Sequence, residues 1–393
     1  MSNRPLALIS VLCLVGLTAC PSDPAPPTCV LESMPLAGNS LTLLSQGRLD
    51  RVGSAFVLIG TDGTSVRWAQ LSSTGQLGEV RSVAVPAHRN GPWFAVAGVT
   101  TPGDRVVIAF TPDQAATTAN QMELRTFSVG IDGTAPSVPA AIGSIPDGLS
   151  GSLQVSMMSG RAGRHAGLTW AVRGTADISA LVLDGLGAAL AAPVTVARAA
   201  DDFDCLRFSS GRKDLTVGYV DLSGTPPAPA FVAGEIDEQG ALLPSFRLPL
   251  GKRTPGCVEL TPTDTGYGIA WHNIEGTYTG MYSPEISGQN FRSDLLLADV
   301  RAGGAPALGG LGWTGKDFAL FLDRSSGLEA WRVDQSSRQK GGILTFPSTV
   351  GHVGLLSSQP VGLALYGTYA DYSSAIPGNE SAGQRFLVKV TCP

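Results

Sequence analysis

Leu215-Thr-Val-Gly-Tyr219 is one of seven short runs of branched, aromatic and small residues that recur roughly every 50 residues along the chain. A run of this length and composition is typical of a buried β-strand. Self-similarity at such a period predicts a repeat architecture. The other six runs are Phe56-Val-Leu-Ile, Val106-Val-Ile-Ala-Phe, Gly167-Leu-Thr-Trp, Gly268-Ile-Ala-Trp, Phe318-Ala-Leu-Phe-Leu and Val361-Gly-Leu-Ala-Leu.

Each run has companions in a constant order. A strand such as Cys257-Val-Glu-Leu-Thr precedes it, and an alternating strand such as Leu328-Glu-Ala-Trp-Arg-Val-Asp follows. A turn rich in Asp, Ser and Gly comes next, and then a fourth strand such as Ile343-Leu-Thr-Phe. Turns of this chemistry between alternating runs favour antiparallel hairpins. No apolar pattern with helical spacing persists, so the sequence predicts an all-β fold without a substantial helix.

Four strands repeated seven times resemble a seven-bladed β-propeller over residues 28–393, in the manner of the WD40-like superfamily. The resemblance is one of architecture, because no family signature accompanies it. The Gly-His and Trp-Asp pairs of WD40 repeats, the sialidase Asp-box and the quinoprotein tryptophan motif are all missing from the sequence. The alternatives are a ring of six or eight blades, or two β-sandwiches in tandem.

The two ends of the chain predict how the ring closes. Six repeats have a fourth strand, but the seventh ends at Pro393, soon after Arg385-Phe-Leu-Val-Lys-Val. Thr28-Cys-Val-Leu-Glu-Ser is a strand without a repeat of its own. We expect it to pair with the last strand, because that pairing completes the seventh blade and removes an open sheet edge.

The N-terminus carries an export signal. Arg4 is followed by the apolar run from Leu6 to Leu17, which is too short to span a bilayer permanently, and then by Leu17-Thr18-Ala19-Cys20. This ending resembles a bacterial lipobox, which implies acylation of Cys20, for example with palmitate. Residues 1–19 are therefore the expected signal peptide, and residues 20–27 a Pro-rich spacer. We expect a lipid anchor in the bacterial envelope, on the outer membrane or the periplasmic membrane face. The competing interpretation is an ordinary secretory peptide.

The remaining cysteines fit an oxidising compartment. Of the six cysteines, Cys13 leaves with the signal peptide and Cys20 is the expected lipid site, so four remain for two disulfides, with three possible connectivities. The predicted closure favours a bond between Cys29 and Cys392. Cys205 and Cys257 then pair by elimination. Each is expected to start the innermost strand of its blade, which is the first of the four strands in the repeat. No CxxC spacing suggests zinc.

Composition and charge bound the partners. The 393 residues include 49 Gly and 27 Pro, only 15% are charged, and the net charge is −5. A nucleic-acid partner is not expected from an acidic chain without a basic patch. We expect a monomer without a cofactor. Beyond the membrane that holds its lipid, the expected partner is a protein or a glycan of unidentified structure.

Metal and catalytic signals are weak. Asp201, Asp202 and Asp204 form the densest acidic cluster, but a calcium loop also needs a Gly-bearing turn and a later Glu, so a solvated turn is the preferred interpretation. The histidines are expected in turns or at strand ends of different blades, and they are His88, His165, His272 and His352. Trp170 and Trp271 hold matching repeat positions and are expected in the core.

The longest and most varied connections are predicted on one face of the ring. They follow second and fourth strands, and binding residues concentrate in such loops. Tyr, Trp and Arg are the usual anchors of an interface. The candidate binding residues are Arg89, Trp93, Arg253, Tyr369, Asp371 and Tyr372, the last three within the expected loop 367–384.

Two functions follow from this fold. The favoured one is a membrane-anchored binding or scaffold protein whose loops hold a partner. The alternative is a carbohydrate-active hydrolase or lyase with an active site at the axis, which would need two carboxylates on innermost strands. Glu259 is the only evident carboxylate there, with Asp204 at an edge. No catalytic residue is therefore assigned.

Overall fold

The computed structural model describes residues 30–35, 45–53, 55–61, 64–72, 76–86, 95–100, 102–112, 121–134, 136–146, 153–160, 163–172, 177–197, 203–210, 215–222, 230–243, 245–250, 258–263, 266–273, 276–282, 296–299, 307–324, 327–336, 338–347, 353–361, 364–371 and 384–391. Within these residues, no helix is long and apolar enough to cross a bilayer.

The secondary structure of these residues consists of β-strands. In chain order they are β1 (Val30–Pro35), β2 (Ser45–Val52), β3 (Ala55–Thr61), β4 (Ser65–Leu71), β5 (Arg81–Ala84), β6 (Ala95–Val99), β7 (Arg105–Phe110), β8 (Gln121–Gly130), β9 (Ala140–Pro146), β10 (Leu153–Ser159), β11 (Ala166–Val172), β12 (Ile178–Leu183), β13 (Val194–Ala197), β14 (Phe203–Ser210), β15 (Leu215–Asp221), β16 (Ala230–Ile236), β17 (Phe246–Pro249), β18 (Val258–Pro262), β19 (Tyr267–Asn273), β20 (Gly276–Tyr282), β21 (Leu296–Asp299), β22 (Ala307–Trp313), β23 (Phe318–Arg324), β24 (Gly327–Val333), β25 (Leu344–Pro347), β26 (Val353–Val361), β27 (Ala364–Asp371) and β28 (Gln384–Thr391).

The strands pair into antiparallel sheets of four, and each sheet contains consecutive strands apart from the last. Sheet 1 is β2 to β5, sheet 2 is β6 to β9, sheet 3 is β10 to β13, sheet 4 is β14 to β17, sheet 5 is β18 to β21 and sheet 6 is β22 to β25. Sheet 7 has the order β1-β28-β27-β26. The protein is therefore an all-β propeller of four-stranded antiparallel blades, as the repeat pattern predicts.

The predicted closing strand is confirmed. β1 pairs with β28 from Val30 opposite Thr391 to Pro35 opposite Phe386. Lys389 Nζ lies 3.3 Å from the Glu32 carboxylate in the facing pair of residues, so opposite charges meet across the two strands. The first strand of the chain thus becomes the outer strand of the sheet that contains its last three.

Buried side chains fill the spaces between consecutive sheets. Five clusters are described, one at each junction from sheets 1 and 2 to sheets 5 and 6. Trp170 packs at the junction of sheets 2 and 3, and Trp271 at that of sheets 4 and 5, so the core assignment of both is confirmed. Because the described clusters cover five junctions, the blade number of seven stays a prediction.

The turn from the third to the fourth strand recurs in detail. In sheet 3 the N–H of Asp184 donates to Ala188 O, and Asp184 Oδ1 accepts the N–H groups of Leu186 and Ala188. Asp237 and Asp334 make the same three bonds in sheets 4 and 6. Gly187 has φ of 89°, a backbone conformation that a residue with a Cβ adopts only under strain. These carboxylates therefore fix turn geometry.

The strand order defines two faces of the ring. Connections from first to second and from third to fourth strands lie at one end of every antiparallel sheet, and we name that side the turn face. Connections from second to third strands, and from each sheet to the next, lie at the other end, the loop face. Val30 starts β1 opposite Thr391, the end of a third strand, so the chain enters its first strand at the turn face.

Candidate binding face

Four of the six predicted binding residues fall, in the sequence, between strands whose described ends lie at the loop face. Arg89 and Trp93 belong to the connection from β5 to β6, Arg253 to that from β17 to β18, and Tyr372 to that from β27 to β28. All four are outside the described residues. The strands that flank them end at the loop face, and the site itself stays a prediction.

Tyr369 and Asp371 lie in a strand and not in a loop, which corrects the predicted loop 367–384. β27 continues to Asp371, where it pairs with Val353 of β26 and Gln384 of β28. Tyr369 faces Leu355 and Phe386 in the same ladders. Tyr and Thr favour extended pairing and lengthen this strand beyond the run seen in the sequence. The connection that follows spans residues 372–383.

The seventh repeat also divides differently from its prediction. The run Val361-Gly-Leu-Ala-Leu was expected to form a second strand, but Val361 ends β26 and Ala364 begins β27. These two residues face each other across the hairpin, so the run contains a tight connection at the turn face. The six other runs lie within β3, β7, β11, β15, β19 and β23.

The weak metal candidates do not form a described site. Asp204 lies in β14 opposite Val220, while Asp201 and Asp202 are outside the described residues. Among the residues that the structure describes, no group of three or more His, Cys, Asp and Glu side chains is placed to hold a metal ion. β14 begins at Phe203, so Cys205 is its third residue rather than its first. Cys29, Cys257 and Cys392 lie outside the described residues.

The two described histidines lie at opposite faces of the ring. His165 precedes β11 at the turn face, where its carbonyl oxygen accepts the N–H of Gly160. His272 is the next-to-last residue of β19, near the loop face of sheet 5. His88 and His352 are outside the described residues. The described pair therefore does not converge on one site.

Asp50 lies on an innermost strand, and its buried carboxylate was not predicted from the sequence. It lies in β2 and is fully buried. Its Oδ2 accepts the N–H of Gly98, in the innermost strand of sheet 2, at 2.7 Å. A Cβ at Gly98 would collide with Val52 Cγ2 and lie 3.2 Å from the Cβ of Asp50. The carboxylate therefore joins two sheets at their closest approach.

A second buried acid joins sheets 4 and 5. The Tyr267 hydroxyl of β19 donates to Glu235 Oε1 of β16, and the same hydroxyl lies 2.9 Å from Thr216 Oγ1 of β15. All three side chains are buried. A buried carboxylate needs such partners, because each polar group left without one costs about 1–3 kcal/mol. This network holds the two sheets in register.

The third buried acid forms an ion pair within sheet 6. Arg332 Nε lies 2.7 Å from Asp317 Oδ2 and the second guanidinium nitrogen lies 2.6 Å from the same oxygen. Both side chains are less than a tenth exposed. In sheet 2 the matching positions hold Arg105 and Ser128, and Arg105 Nε donates to Ser128 Oγ at 2.8 Å. The same pair of positions thus holds an ion pair in sheet 6 and an Arg–Ser hydrogen bond in sheet 2.

The described buried carboxylates therefore act in the framework. Asp50, Glu235 and Asp317 belong to sheets 1, 4 and 6, and each has a partner within the protein. Glu259 lies in the innermost strand β18 and is half-buried. Hydrolysis of a glycosidic bond requires two carboxyl groups in one pocket, one on each side of the bond. The three buried acids lie in separate sheets and each bonds to a partner within the protein, as structural groups do.

Comparison with known proteins shows the fold but identifies no family. No family model matches the sequence. The search of curated proteins also finds no match. The chain is similar to solved propeller structures at identities that show the fold alone.

The β-propeller domain of the Trilobed protease from Pyrococcus furiosus is 9% identical, with a TM-score of 0.50, and the match covers 83% of this chain and 88% of that one. A structure from a study of two prolyl endopeptidases is 13% identical, with a TM-score of 0.50, and 91% of this chain matches 53% of that one. The complex of KlAtg21 with the coiled-coil of AgAtg16 is 13% identical, with a TM-score of 0.51, covering 86% and 96%. This chain thus spans about half of the endopeptidase chain.

Proposed function

We propose that this protein is an exported, lipid-anchored, seven-bladed β-propeller that binds a protein or glycan at its loop face. One observation carries the proposal. β1 begins at the turn face, and the described strands that flank the predicted binding residues end at the opposite, loop face. An anchor at one face leaves the other free to present loops, which is where function is placed on a propeller scaffold.

The pairing of innermost strands supports a ring of seven. β26 of sheet 7 lies next to β22 of sheet 6 and next to β2 of sheet 1. Innermost strands of consecutive sheets are neighbours throughout the series between β2 and β22. Seven sheets that return to the first leave no sheet at an open end of the ring.

The framework role of the buried acids favours binding over catalysis. Asp50, Glu235 and Asp317 are engaged by protein partners, and they lie in three separate sheets. A binding protein needs a rigid scaffold beneath variable loops, and such networks supply rigidity. A carbohydrate-active enzyme is the alternative outcome of the experiments below.

The lipid anchor is tested by mass spectrometry of the protein isolated from bacterial envelopes. We expect the N-terminal peptide to start at Cys20 and to carry acyl chains. The matched variant Cys20→Ala should lose the acyl mass and leave the membrane fraction. A mature N-terminus elsewhere, without lipid, would replace the anchor with ordinary secretion.

Binding is tested by crosslinking on intact cells, followed by capture of the protein and identification of bound proteins and glycans. The double variant Tyr369→Ala/Tyr372→Ala should reduce capture of the partner at least about tenfold, as hot-spot aromatics do. Arg338→Ala, an exposed change in a turn of sheet 6, is the matched control and should leave capture unchanged. Unchanged capture by the double variant would move the site away from the loop face.

The enzyme alternative has a separate readout. Incubation of purified protein with the captured glycan should leave that glycan intact. Cleavage that disappears in Glu259→Gln would establish the hydrolase or lyase in place of the binding protein.

A further inference from the structure

The exposed large apolar side chains of the described residues all lie at the turn face. Their exposed fractions range from 37% to 86%. One starts β1, and the other five lie between a third and a fourth strand. They are Val30, Val138, Leu186, Leu190, Leu242 and Ile343. Scattered surface leucines are ordinary, but their restriction to one face of a ring indicates a surface with a role.

Four of these residues come from three consecutive blades. Val138 belongs to sheet 2, Leu186 and Leu190 to sheet 3, and Leu242 to sheet 4. We name this set the apolar sector. In sheet 3 the segment from Leu186 to Pro193 consists of Gly, Ala, Leu and Pro, and it contains no charged residue. Exposure of an apolar, uncharged segment to water costs free energy, so transfer of that surface into an apolar phase would be favourable.

The backbone under the apolar sector is already hydrogen-bonded. Gly187 N donates to Asp184 O at 3.0 Å, and Leu190 N donates to Val182 O at 2.9 Å. Thr126 of sheet 2 donates its hydroxyl to Gly187 O, and Ser137 Oγ lies 3.3 Å from Leu186 O. Leu186 and Leu190 are therefore held outward on a turn that is tied to the neighbouring sheet. These bonded groups would meet hydrocarbon without the cost of an unpaired polar group.

The turns on the other side of the ring differ. In sheet 6 the corresponding turn contains Arg338 and Lys340, and Lys340 Nζ lies 3.3 Å from Asp334 Oδ2. In sheet 1 the turn is followed by Glu79 and Arg81, which pair at 3.1 Å. The two ion pairs combine both signs of charge. Insertion of apolar side chains, rather than attraction to anionic headgroups, is therefore the interaction that this face offers.

The position of the tether identifies what the turn face meets. Val30 starts β1 at this face, and nine residues separate it from Cys20. An extended chain covers at most about 3.6 Å per residue, so an acylated Cys20 must remain within about 36 Å of Val30. A lipid-anchored propeller is thereby held close to the bilayer by a tether that joins the ring at its turn face.

We propose that the turn face lies on the bilayer and that the apolar sector inserts into the boundary between headgroups and acyl chains. The proposal rests on the lipid anchor proposed above. It adds an orientation: the loop face points away from the membrane, and the lipid and the apolar sector form two separate attachments. Two attachments restrict the tilt of the ring more than a single tether does.

Fluorescence quenching tests this orientation on the full mature protein in vesicles. Leu190→Trp places a reporter in the apolar sector, and Thr64→Trp places one at the loop face. Thr64 bonds to Val85 through its backbone oxygen, which the substitution keeps. The emission added by each variant over the native protein is compared in phosphatidylcholine vesicles with and without lipids brominated near the headgroup. Phosphatidylglycerol vesicles test the contribution of charge.

We expect bromine to remove about half or more of the emission added by Leu190→Trp, and little of that added by Thr64→Trp, because interfacial side chains reach this depth. The loss should be equal in both lipids. Acylated protein in which Leu190→Trp is not quenched would overturn the orientation and leave the anchor intact. Absence of acyl chains at Cys20 would overturn both. A dimer in detergent that Leu186→Gln/Leu190→Gln dissociates, without quenching in vesicles, would assign the sector to a second copy.

Discussion

Val30 and Thr391 face each other across the antiparallel pair of β1 and β28, so the ends of the repeat region are joined by a strand ladder. Every residue between them lies within the closed loop that this pair defines. The ladder holds the start of β1 and the end of β28 at the turn face, and the ion pair between Glu32 and Lys389 lies within it.

The first prediction is a disulfide between Cys29 and Cys392. Cys29 precedes Val30 and Cys392 follows Thr391, so the facing pair points to these two cysteines as the next positions along the ladder. In the chain-entropy model a covalent bond across a loop of this length stabilises the fold by about 6 kcal/mol at most. Peptide mapping without reductant should recover a crosslink between residues 29 and 392. A crosslink from Cys29 to Cys205 or Cys257 would contradict it.

The second prediction concerns the buried ion pair of sheet 6. Asp317→Asn leaves the Arg332 guanidinium buried without its counter-charge, and should lower the free energy of unfolding by about 3–5 kcal/mol. The double variant Asp317→Leu/Arg332→Met should recover much of that loss, because it removes both charges together. Denaturant unfolding gives the free energy of unfolding of the native protein, the single variant and the double variant.

The control for this pair is Arg247→Ala. Arg247 lies 2.5 Å from Asp221 but is 52% exposed, so its loss should cost less than about 1 kcal/mol. Equal destabilisation by Asp317→Asn and Arg247→Ala would show that burial does not determine the strength of these pairs.

The third prediction concerns the contact of innermost strands. Gly98→Ala would place a methyl group against Val52 and Asp50 and disturb the hydrogen bond from Gly98 N. Because the contact lies in a packed interior, we expect a loss of roughly 1–3 kcal/mol in the free energy of unfolding. Gly342→Ala is the matched control, since a Cβ there meets nothing within 4 Å. A neutral Gly98→Ala would mean that β2 and β6 can separate without cost.

Periodicity made the blades predictable. Trp170 and Trp271 hold one repeat position, and a large ring at a repeated strand position usually packs between blades, so their burial could be inferred from spacing. β1 was predictable because one repeat lacked a strand and one strand lacked a repeat. Both inferences depend on patterns that several repeats share.

Asp50 and β27 show what the repeat pattern does not contain. Asp50 stands next to Arg51 and two residues after Arg48, so the sequence alone suggests a solvated charge. An innermost strand has neighbours on both faces, and the partner that accommodates Asp50 is the N–H of Gly98, about 50 residues away. Glycine in the facing innermost strand is the one signal that hints at it. β27 extends to Asp371 because its last residues pair with β28, where Asp371 faces Gln384. The repeated run did not include these residues, so the repeat pattern did not predict the extension.

The fourth prediction follows from Tyr219 at the junction of sheets 3 and 4. Burial raises the pKa of its hydroxyl above the ordinary value of 10.0, and the nearby Asp221 carboxylate raises that pKa further, while Arg247 lowers it. Above pH 10 the unfolded chain therefore releases the phenolic proton while the folded protein retains it. The contribution is fully present below pH 10, and stability should fall as pH rises through the pKa of the folded protein.

Tyr219→Phe isolates this effect from the other groups that titrate in alkali, because it removes one hydroxyl from the same junction. We expect the native protein to lose more of its free energy of unfolding than the variant between pH 8.5 and pH 11, as measured by urea denaturation at each pH. Asp221→Asn should reduce the difference, since it removes the second cause of the raised pKa. Parallel pH profiles for the native protein and Tyr219→Phe would show that the phenol titrates alike in the folded and unfolded chain.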